Sequence, residues 1–359
     1  MEQFFCKTRI LCGSASSQLA TLGSKRLLMV SDPFFHKNGT AQRIADGSGC
    51  DASAHFFKVT PDPSVSLAAE GTALVLDFQP DTIVALGGGS AMDCAKAMAF
   101  FSGTDARLVA IPTTSGSGSE VTDFAILTHN GVKHPLVDQR LCPDVAILDS
   151  ELLSGLPPAL IADAGFDVLT HALEAYTAKN AGAITDALAL SAFREAFSFL
   201  PASYSGDKAV RPRIHMASTM AGMAFSQAGL GLCHAIAHSL GGAFHIPHGR
   251  LNAIVLPAVV NCNAPAATDK YAALAQAIGL EGRAGTVGTR NLRSALIRLR
   301  RQLQLPSTLA EAGVSPSQVH QSRHQIIRAA LADPCCATNP VPVTEEMLSH
   351  LLQEVTGHA

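Results

Sequence analysis

Four of the chain's fourteen histidines fall within fifteen residues, in the stretch that runs from Gly231-Leu232-Cys233-His234-Ala235-Ile236-Ala237-His238 to His245-Ile246-Pro247-His248-Gly249. His234 and His238 are four residues apart, so on a helix they share one face. Upstream, Asp167-Val168-Leu169-Thr170-His171 sets a carboxylate and an imidazole at the same spacing. A lone histidine is most often a satisfied structural residue; two helical pairs and a His-Gly turn are harder to explain that way. Mixed carboxylate and imidazole donors with no cysteine in the pattern suit a first-row divalent metal such as iron(II) or zinc. Spacing alone leaves open which of the histidines bind metal and which handle protons.

A second kind of chemistry is written in the first half. Ile83-Val84-Ala85-Leu86 runs into Gly87-Gly88-Gly89-Ser90 and then a helical stretch that includes Asp93. An apolar strand giving way to a glycine turn that opens a helix lets backbone amides approach a phosphate, helped by the helix dipole. This is not the G-x-G-x-x-G fingerprint; three glycines and a serine in a row favour the phosphate reading over a tight turn with no ligand, as a signal of moderate strength by itself. After the next strand comes Pro112-Thr113-Thr114-Ser115-Gly116-Ser117-Gly118-Ser119-Glu120, a polar loop at a strand's carboxyl end, where open α/β sheets bind ligands. Together the two loops point to a dinucleotide.

The elements needed to position these groups are legible in outline. Leu27–Ser31, Thr82–Leu86, Leu108–Ile111 and Val145–Leu148 read as strands between Ala-rich helical stretches. Beyond Leu156-Pro157-Pro158 strand signals fade and helical periodicity takes over, as in Leu190, Phe193, Phe197 and Leu200. The expected fold is an α/β N-terminal dinucleotide-binding domain with a parallel sheet, residues 1–156, followed by an all-helical metal-binding domain, residues 157–359. Thr344 caps a last helix with Glu345 and Glu346 in its first turn. Leu292, Leu296, Leu299 and Leu303 make the arginine-rich run Arg290–Arg301 an amphipathic helix with a solvated face.

Composition narrows the function classes. Hydrophobic residues are 47% and charged residues 15%, which supports large cores and argues against a disordered chain. A net charge of -3 argues against a nucleic-acid binder. Nine cysteines without a C-x-x-C pair fit reduced thiols rather than a disulfide framework. Met1–Gly13 lacks a charged start followed by an apolar run, so no signal peptide is expected. Ala253–Val260 is the longest candidate for a membrane span, and Pro257 interrupts it well short of the roughly 18 residues required.

These segments, with Gly165-Phe166-Asp167 through Glu174, Gly229 through His248, and the late Thr338-Asn339-Pro340, make the chain resemble the iron-containing alcohol dehydrogenases over nearly its whole length. Val59-Thr60-Pro61-Asp62-Pro63 and Met223 through Leu230 are most similar to the propanol dehydrogenases of bacterial microcompartments, and Cys233 through His248 also resembles the ethanolamine-associated ethanol dehydrogenases. The resemblance implies metal ligands Asp167, His171, His234 and His248, and places His238 near substrate and nicotinamide. It implies contacts of Asp32 to the adenosine ribose, of Gly88, Gly89, Ser90 and Asp93 to the pyrophosphate, and of Thr113, Thr114, Ser117 and Lys133 to the rest of the cofactor. Arg250-Leu251 after His248-Gly249 departs from the family pattern and puts an arginine beside a ligand.

The activity that this resemblance implies is that of an NAD-dependent, iron-dependent enzyme interconverting a short primary alcohol, 1-propanol or ethanol, with its aldehyde; zinc is the alternative metal. Two other readings stand beside it: a zinc polyol dehydrogenase of the same fold, and a non-catalytic microcompartment component that docks to shell or enzyme partners. The expected setting is cytoplasmic, inside a microcompartment if the subgroup resemblance holds, and the expected assembly is a homo-oligomer such as a dimer. No nucleic-acid or membrane partner is expected.

Overall fold

The apolar runs of the first half form a parallel sheet because each is short, β-branched and closed by a turn or helix start. In the computed structural model, which describes residues 4–130, 132–282 and 285–357, the chain divides into two compact units, Phe5–Gly155 and Leu156–Ala359, the latter joined by Phe4. The N-terminal expectation at Met1–Gln3 and the loop residue Gly131 lie outside the described residues.

The first unit runs β1 (Arg9–Cys12), α1 (Ala15–Ala20), β2 (Arg26–Ser31), α2 (Pro33–Lys37), α3 (Thr40–Gly47), β3 (Ala52–Phe56), α4 (Val65–Phe78), β4 (Thr82–Gly87), α5 (Gly89–Ser102), β5 (Arg107–Pro112), β6 (Phe124–His129), β7 (Val132–Val137) and β8 (Val145–Leu148). Six strands form one all-parallel sheet in the order β1-β8-β5-β4-β2-β3; β6 and β7 pair separately as an antiparallel hairpin. Alternate residues of each strand point to opposite faces. Leu27, Met29, Val84, Leu86, Val109 and Ile111 pack with Leu19 of α1 and Ile44 of α3. Leu28, Val30, Ile83, Ala85, Leu108 and Ala110 pack on the other face with Val75 of α4 and Met92 of α5. The strands are therefore buried on both sides, which is why they read as continuous apolar runs.

Strands β2 and β4 are neighbours, yet the helices that follow them cover opposite faces. Such a switch opens a crevice at the strands' carboxyl ends. The register aligns Ser31 with Leu86 and Gly87 with Pro112, so Asp32, the glycine turn and Thr113 all emerge at one edge.

The second unit is helical throughout its described residues: α6 (Pro158–Thr177), α7 (Ala183–Tyr204), α8 (Arg211–Ala228), α9 (Leu232–Phe244), α10 (His248–Ala277), α11 (Gly285–Gln302), α12 (Pro316–Ala332), α13 (Cys335–Thr338) and α14 (Glu345–Thr356). One core holds Phe166 and Leu173 of α6, Phe193 and Leu200 of α7, Leu251 and Leu256 of α10 and Leu296 of α11. Thr344 caps α14 by accepting a bond from the Met347 amide.

Helix α10 corrects the sequence expectation. It runs straight through Pro257 and Pro265 for 30 residues, and by length and composition it could cross a membrane, with a mean hydropathy of 1.2 in its most apolar window. That window is 67% buried inside the unit, as in the core helix of a globular domain. Pro257 has no N–H to give the carbonyl of Ala253 four residues before it. The Arg300 guanidinium, itself buried, donates to that carbonyl through Nη1 at 3.3 Å. Arg293 Nε donates to the Pro257 carbonyl at 3.1 Å. So α11 is amphipathic as expected, but two of its arginines reach back to α10, and Arg300 mends the gap that Pro257 leaves.

Candidate metal centre and cofactor cradle

The histidine and aspartate pattern converges in the second unit. Asp167 and His171 lie on α6, His234 and His238 on α9, and His248 opens α10. The turn between α9 and α10 is made by His245, which adopts a left-handed φ of 54° and closes α9 through its amide to the Gly241 carbonyl at 2.9 Å. That is the conformation a helix C-terminus favours, and it assigns His245 to the chain reversal that brings His248 back toward α6.

Asp167 Oδ1 is the hub. It lies 3.7 Å from His234 Nε2, 3.5 Å from His248 Nε2 and 3.9 Å from His171 Nδ1. Donor atoms of Asp167, His234 and His248 all fall within 4.8 Å of one another; His171 is not one of that trio. Its ring stacks on His234, with centroids 4.5 Å apart, and on Phe225 at 4.4 Å. Burial alone would raise the Asp167 carboxyl, but the surrounding histidines hold it well below the usual carboxylate range.

Two side chains to which the sequence pattern assigns no role hold this centre in place. Glu174, on α6 three residues past His171, is 1% exposed and accepts from His234 Nδ1 at 2.6 Å. It also accepts from the amides of Gly231 at 2.9 Å and Cys233 at 2.6 Å, at the start of α9. A Cβ at Gly231 would stand 2.8 Å from Glu174 Oε1 and 2.9 Å from Asn339 Oδ1, so only glycine lets the carboxylate reach those amides. Asn252, one turn after His248, donates to Asp167 Oδ1 at 2.7 Å and lies 3.2 Å from His248 Nε2. Asn339 of the Asn-Pro element accepts from the Leu232 amide at 3.0 Å and pairs with Asn263. Arg250 makes two bonds to Asp163, at 3.2 and 3.0 Å, and so binds the start of α10 to α6.

The residues fit a divalent cation. His234 is 1% exposed, and its Nε2 has no hydrogen-bond partner; 3.7 Å to Asp167 is too long for one. An unpaired buried ring nitrogen aimed at a carboxylate is costly unless a proton or a cation bridges the gap. Burial opposes charge on His234, but Asp167 and Glu174 outweigh it and raise the ring to about 9. A cation would take the place of that proton. The donors are oxygen and imidazole nitrogen, since the Cys233 thiol is turned to Asn252 at 3.7 Å, which favours iron(II) or zinc over thiolate-seeking metals.

His238 stands apart from the Asp167 group. Its ring stacks on His248, with centroids 5.1 Å apart, and its side chain is 44% exposed. Its Nδ1 lies 2.8 Å from Asp333 Oδ2. His238, Asp333 and Cys335 form the other cluster of potential metal donors among the described residues.

In the first unit the two polar loops meet. Gly88 caps α5, and a Cβ there would lie 3.2 Å from Thr114 Oγ1; one at Gly89 would lie 3.5 Å from Ser117 Cβ. Ser90 lies in the first turn of α5, where helix amides lack intrahelical partners. Thr113 donates its amide to the Gly87 carbonyl at 3.0 Å. Asp93 accepts from Ser119 Oγ at 3.3 Å, and burial pushes its carboxyl up to about 6 against the pull of Lys96. Lys96, 1% exposed, belongs to no motif legible in the sequence. Its Nζ donates to Ser119 Oγ, Thr122 Oγ1 and the carbonyls of Thr122 and Phe124 at 2.8–3.2 Å, tying the second loop to α5. Burial drags that amine down to about 8. Asp32 caps α2 by accepting from the Phe34 amide at 2.7 Å. Lys133 pairs with Asp62 at 2.7 Å, both half-exposed.

The iron-containing alcohol dehydrogenase model matches residues 8–150, and the C-terminal model of the same family matches residues 161–356. The chain belongs to the iron-containing alcohol dehydrogenases. It is 42% identical to the 1-propanol dehydrogenase PduQ of Citrobacter freundii, over 99% of this chain and 100% of that one. It is 39% identical to an NADPH-dependent butanol dehydrogenase of Clostridium saccharobutylicum, over 82% and 81%. Among solved structures, sulfoacetaldehyde reductase from Bifidobacterium kashiwanohense, in complex with NAD+, is 27% identical and covers 100% of both chains at a TM-score of 0.91. The parallel-sheet unit and the helical unit are thus those of this enzyme family, and the chain is an alcohol dehydrogenase.

Proposed function

We propose that this enzyme interconverts 1-propanol and propanal, using NAD as hydride carrier and iron(II) held by Asp167, His171, His234 and His248. The observation that carries the reading is the unpaired Nε2 of buried His234, facing Asp167 while Glu174 holds the other ring nitrogen. Full-length similarity to a 1-propanol dehydrogenase supports the substrate. A divalent ion in this donor set supplies Lewis-acid polarisation of the alcohol or carbonyl oxygen. The nicotinamide supplies the redox chemistry.

The chain's own residues do the rest. Gly88, Gly89 and Ser90 present the free amides of α5 to the pyrophosphate. Thr113, Thr114 and Ser117 line the adjoining loop, which Lys96 and Asp93 hold through Ser119. Asp32 has one oxygen committed to the Phe34 amide. The other is the one that would take ribose hydroxyls and repel a 2′-phosphate, favouring NAD over NADP. Lys133, engaged by Asp62, is a more distant cofactor contact. His238 takes or gives the substrate's proton at Nε2, its Nδ1 being committed to Asp333.

The test is anaerobic purification with metal analysis and NADH-linked reduction of propanal. Wild type is expected to carry iron and turn over; His248→Ala is expected to lose metal and activity together. Full metal content and normal turnover in His248→Ala would remove it from the ligand set. A zinc-loaded protein active on polyols would favour the polyol dehydrogenase reading, and absence of turnover in a metal-loaded protein would favour a docking component. Homo-oligomerisation and encapsulation in a bacterial microcompartment are further proposals, resting on similarity to propanol dehydrogenases; native mass and co-fractionation with shells test them.

A further inference from the structure

We infer that Asp333 is a positioning residue for the reaction: it fixes the tautomer and orientation of His238, and Cys335 supports it. This rests on the reading of His238 as the group that handles the substrate's proton.

Asp333 follows α12 directly, 95 residues from His238 in sequence, and its Oδ2 lies 2.8 Å from His238 Nδ1. A carboxylate only accepts, so Nδ1 carries the proton of that bond and Nε2 is left as the basic atom of the neutral ring. The other oxygen, Oδ1, accepts the Cys335 amide at 2.9 Å. The Asp333 side chain is 13% exposed while that of His238 is 44% exposed. A half-exposed imidazole would sample several rotamers; anchoring it to a buried carboxylate that the Cys335 amide also holds removes that freedom. On its other side the ring lies parallel to His248, at an interplanar angle of 16°. Carboxylate and stacked ring together leave His238 one orientation.

The three side chains also have the composition of a second cation site. Their bonding argues otherwise. In the Asp167 centre a buried ring nitrogen lacks a partner, whereas here His238 Nδ1 and both Asp333 oxygens are paired, Oδ2 with the ring and Oδ1 with the Cys335 amide. A cation here would have to break those bonds; a positioned histidine uses them.

The experiment is a double-mutant cycle on the iron-loaded, full-length enzyme with Asp333→Asn, His238→Ala and both together. Asp333→Asn keeps a carbonyl oxygen for the Cys335 amide, so the start of α13 is preserved, and circular dichroism and bound iron are expected to match wild type. Its kcat for propanal should fall on the order of tenfold or more, with KM changed by less than about twofold. In the His238→Ala background the same change should cost nothing further, because the side chain it acts through is gone. If His238→Ala lowers kcat and Asp333→Asn does not, or if the two losses multiply, Asp333 is no positioning residue while the His238 reading survives. If His238→Ala turns over normally, the His238 reading falls and takes this one with it. A second metal equivalent per chain that disappears in Asp333→Asn would overturn the inference in favour of a cation site. Should Asp333→Asn fold poorly, Asp333→Ser, whose hydroxyl can still accept the Cys335 amide, is the variant that decides: a fall in kcat that is absent in the His238→Ala background supports the inference, and an unchanged kcat overturns it.

Discussion

Glu174→Gln tests how much of the metal centre depends on a residue that touches no metal. In the wild type the carboxylate accepts from His234 Nδ1 at 2.6 Å and from the Gly231, Cys233 and His234 amides at 2.9, 2.6 and 3.4 Å. All four partners are donors. Glutamine has one carbonyl oxygen and an amino group that only donates, so at least one partner must face another donor in a site 1% exposed. Charge-assisted bonds are worth about 1.5–3 kcal/mol each, and a buried unsatisfied donor costs about 1–3 kcal/mol. A loss of folding stability of about 2–4 kcal/mol is expected, visible as a lowered urea midpoint. The metal should feel it separately: loss of the partner that orients a ligand histidine weakens binding roughly 10- to 100-fold, or about 1.4–2.7 kcal/mol. The assay is titration of chelated, metal-free protein with iron(II) or zinc against a competing chelator, in parallel with urea unfolding of the metal-free form. A metal Kd within about twofold of wild type would refute the view that Glu174 fixes the ring of His234.

Two further outcomes rest on the geometry. Asp32→Asn keeps an oxygen for the Phe34 amide but drops the charge, so α2 should stay capped while kcat/KM for NADP relative to NAD rises roughly ten- to a hundredfold; an unchanged ratio at fixed ionic strength would leave Asp32 as a helix cap alone. Burial opposes charge on Asp333, but His238 and Cys335 prevail and bring it from the ordinary 3.8 down to about 2. Its stabilising contribution is therefore complete above about pH 4 and lost as pH falls toward 2, so metal-free wild type should lose stability over that window more steeply than Asp333→Asn, and parallel urea midpoints would count against it.

Much of the fold is readable because the strands are buried on both faces and so stand out as apolar runs closed by Gly, Pro or Asp. Strands β1 and β3 and the β6–β7 hairpin escape that reading; Ala52–Phe56 and Val132–Val137 are partly exposed and carry polar residues, so they lack the signature. The candidate metal centre is readable where two of its side chains share a helix, as with Asp167 and His171, since i, i+4 spacing survives in sequence. Glu174 has a signal too: it lies three residues beyond His171, on the same face of α6. Asn252 repeats that logic, one turn after His248. Asp333 has none, because its link to His238 is made by tertiary packing over 95 residues. Lys96 looks like a solvated lysine, and only its four oxygen partners reveal a cation enclosed by protein.

The repair of α10 by Arg300 makes two distant positions dependent on each other in a directional way. While Pro257 is present, losing Arg300 strands the Ala253 carbonyl inside the core, at about 1–3 kcal/mol. Replacing Pro257 by alanine first restores an N–H to that carbonyl, and the arginine, still able to share its second lone pair, becomes dispensable. Drift through these two sites can therefore pass in one order and is blocked in the other. Among descendants of such a chain, proline at 257 should be inherited with arginine at 300, whereas arginine should be found with or without the proline.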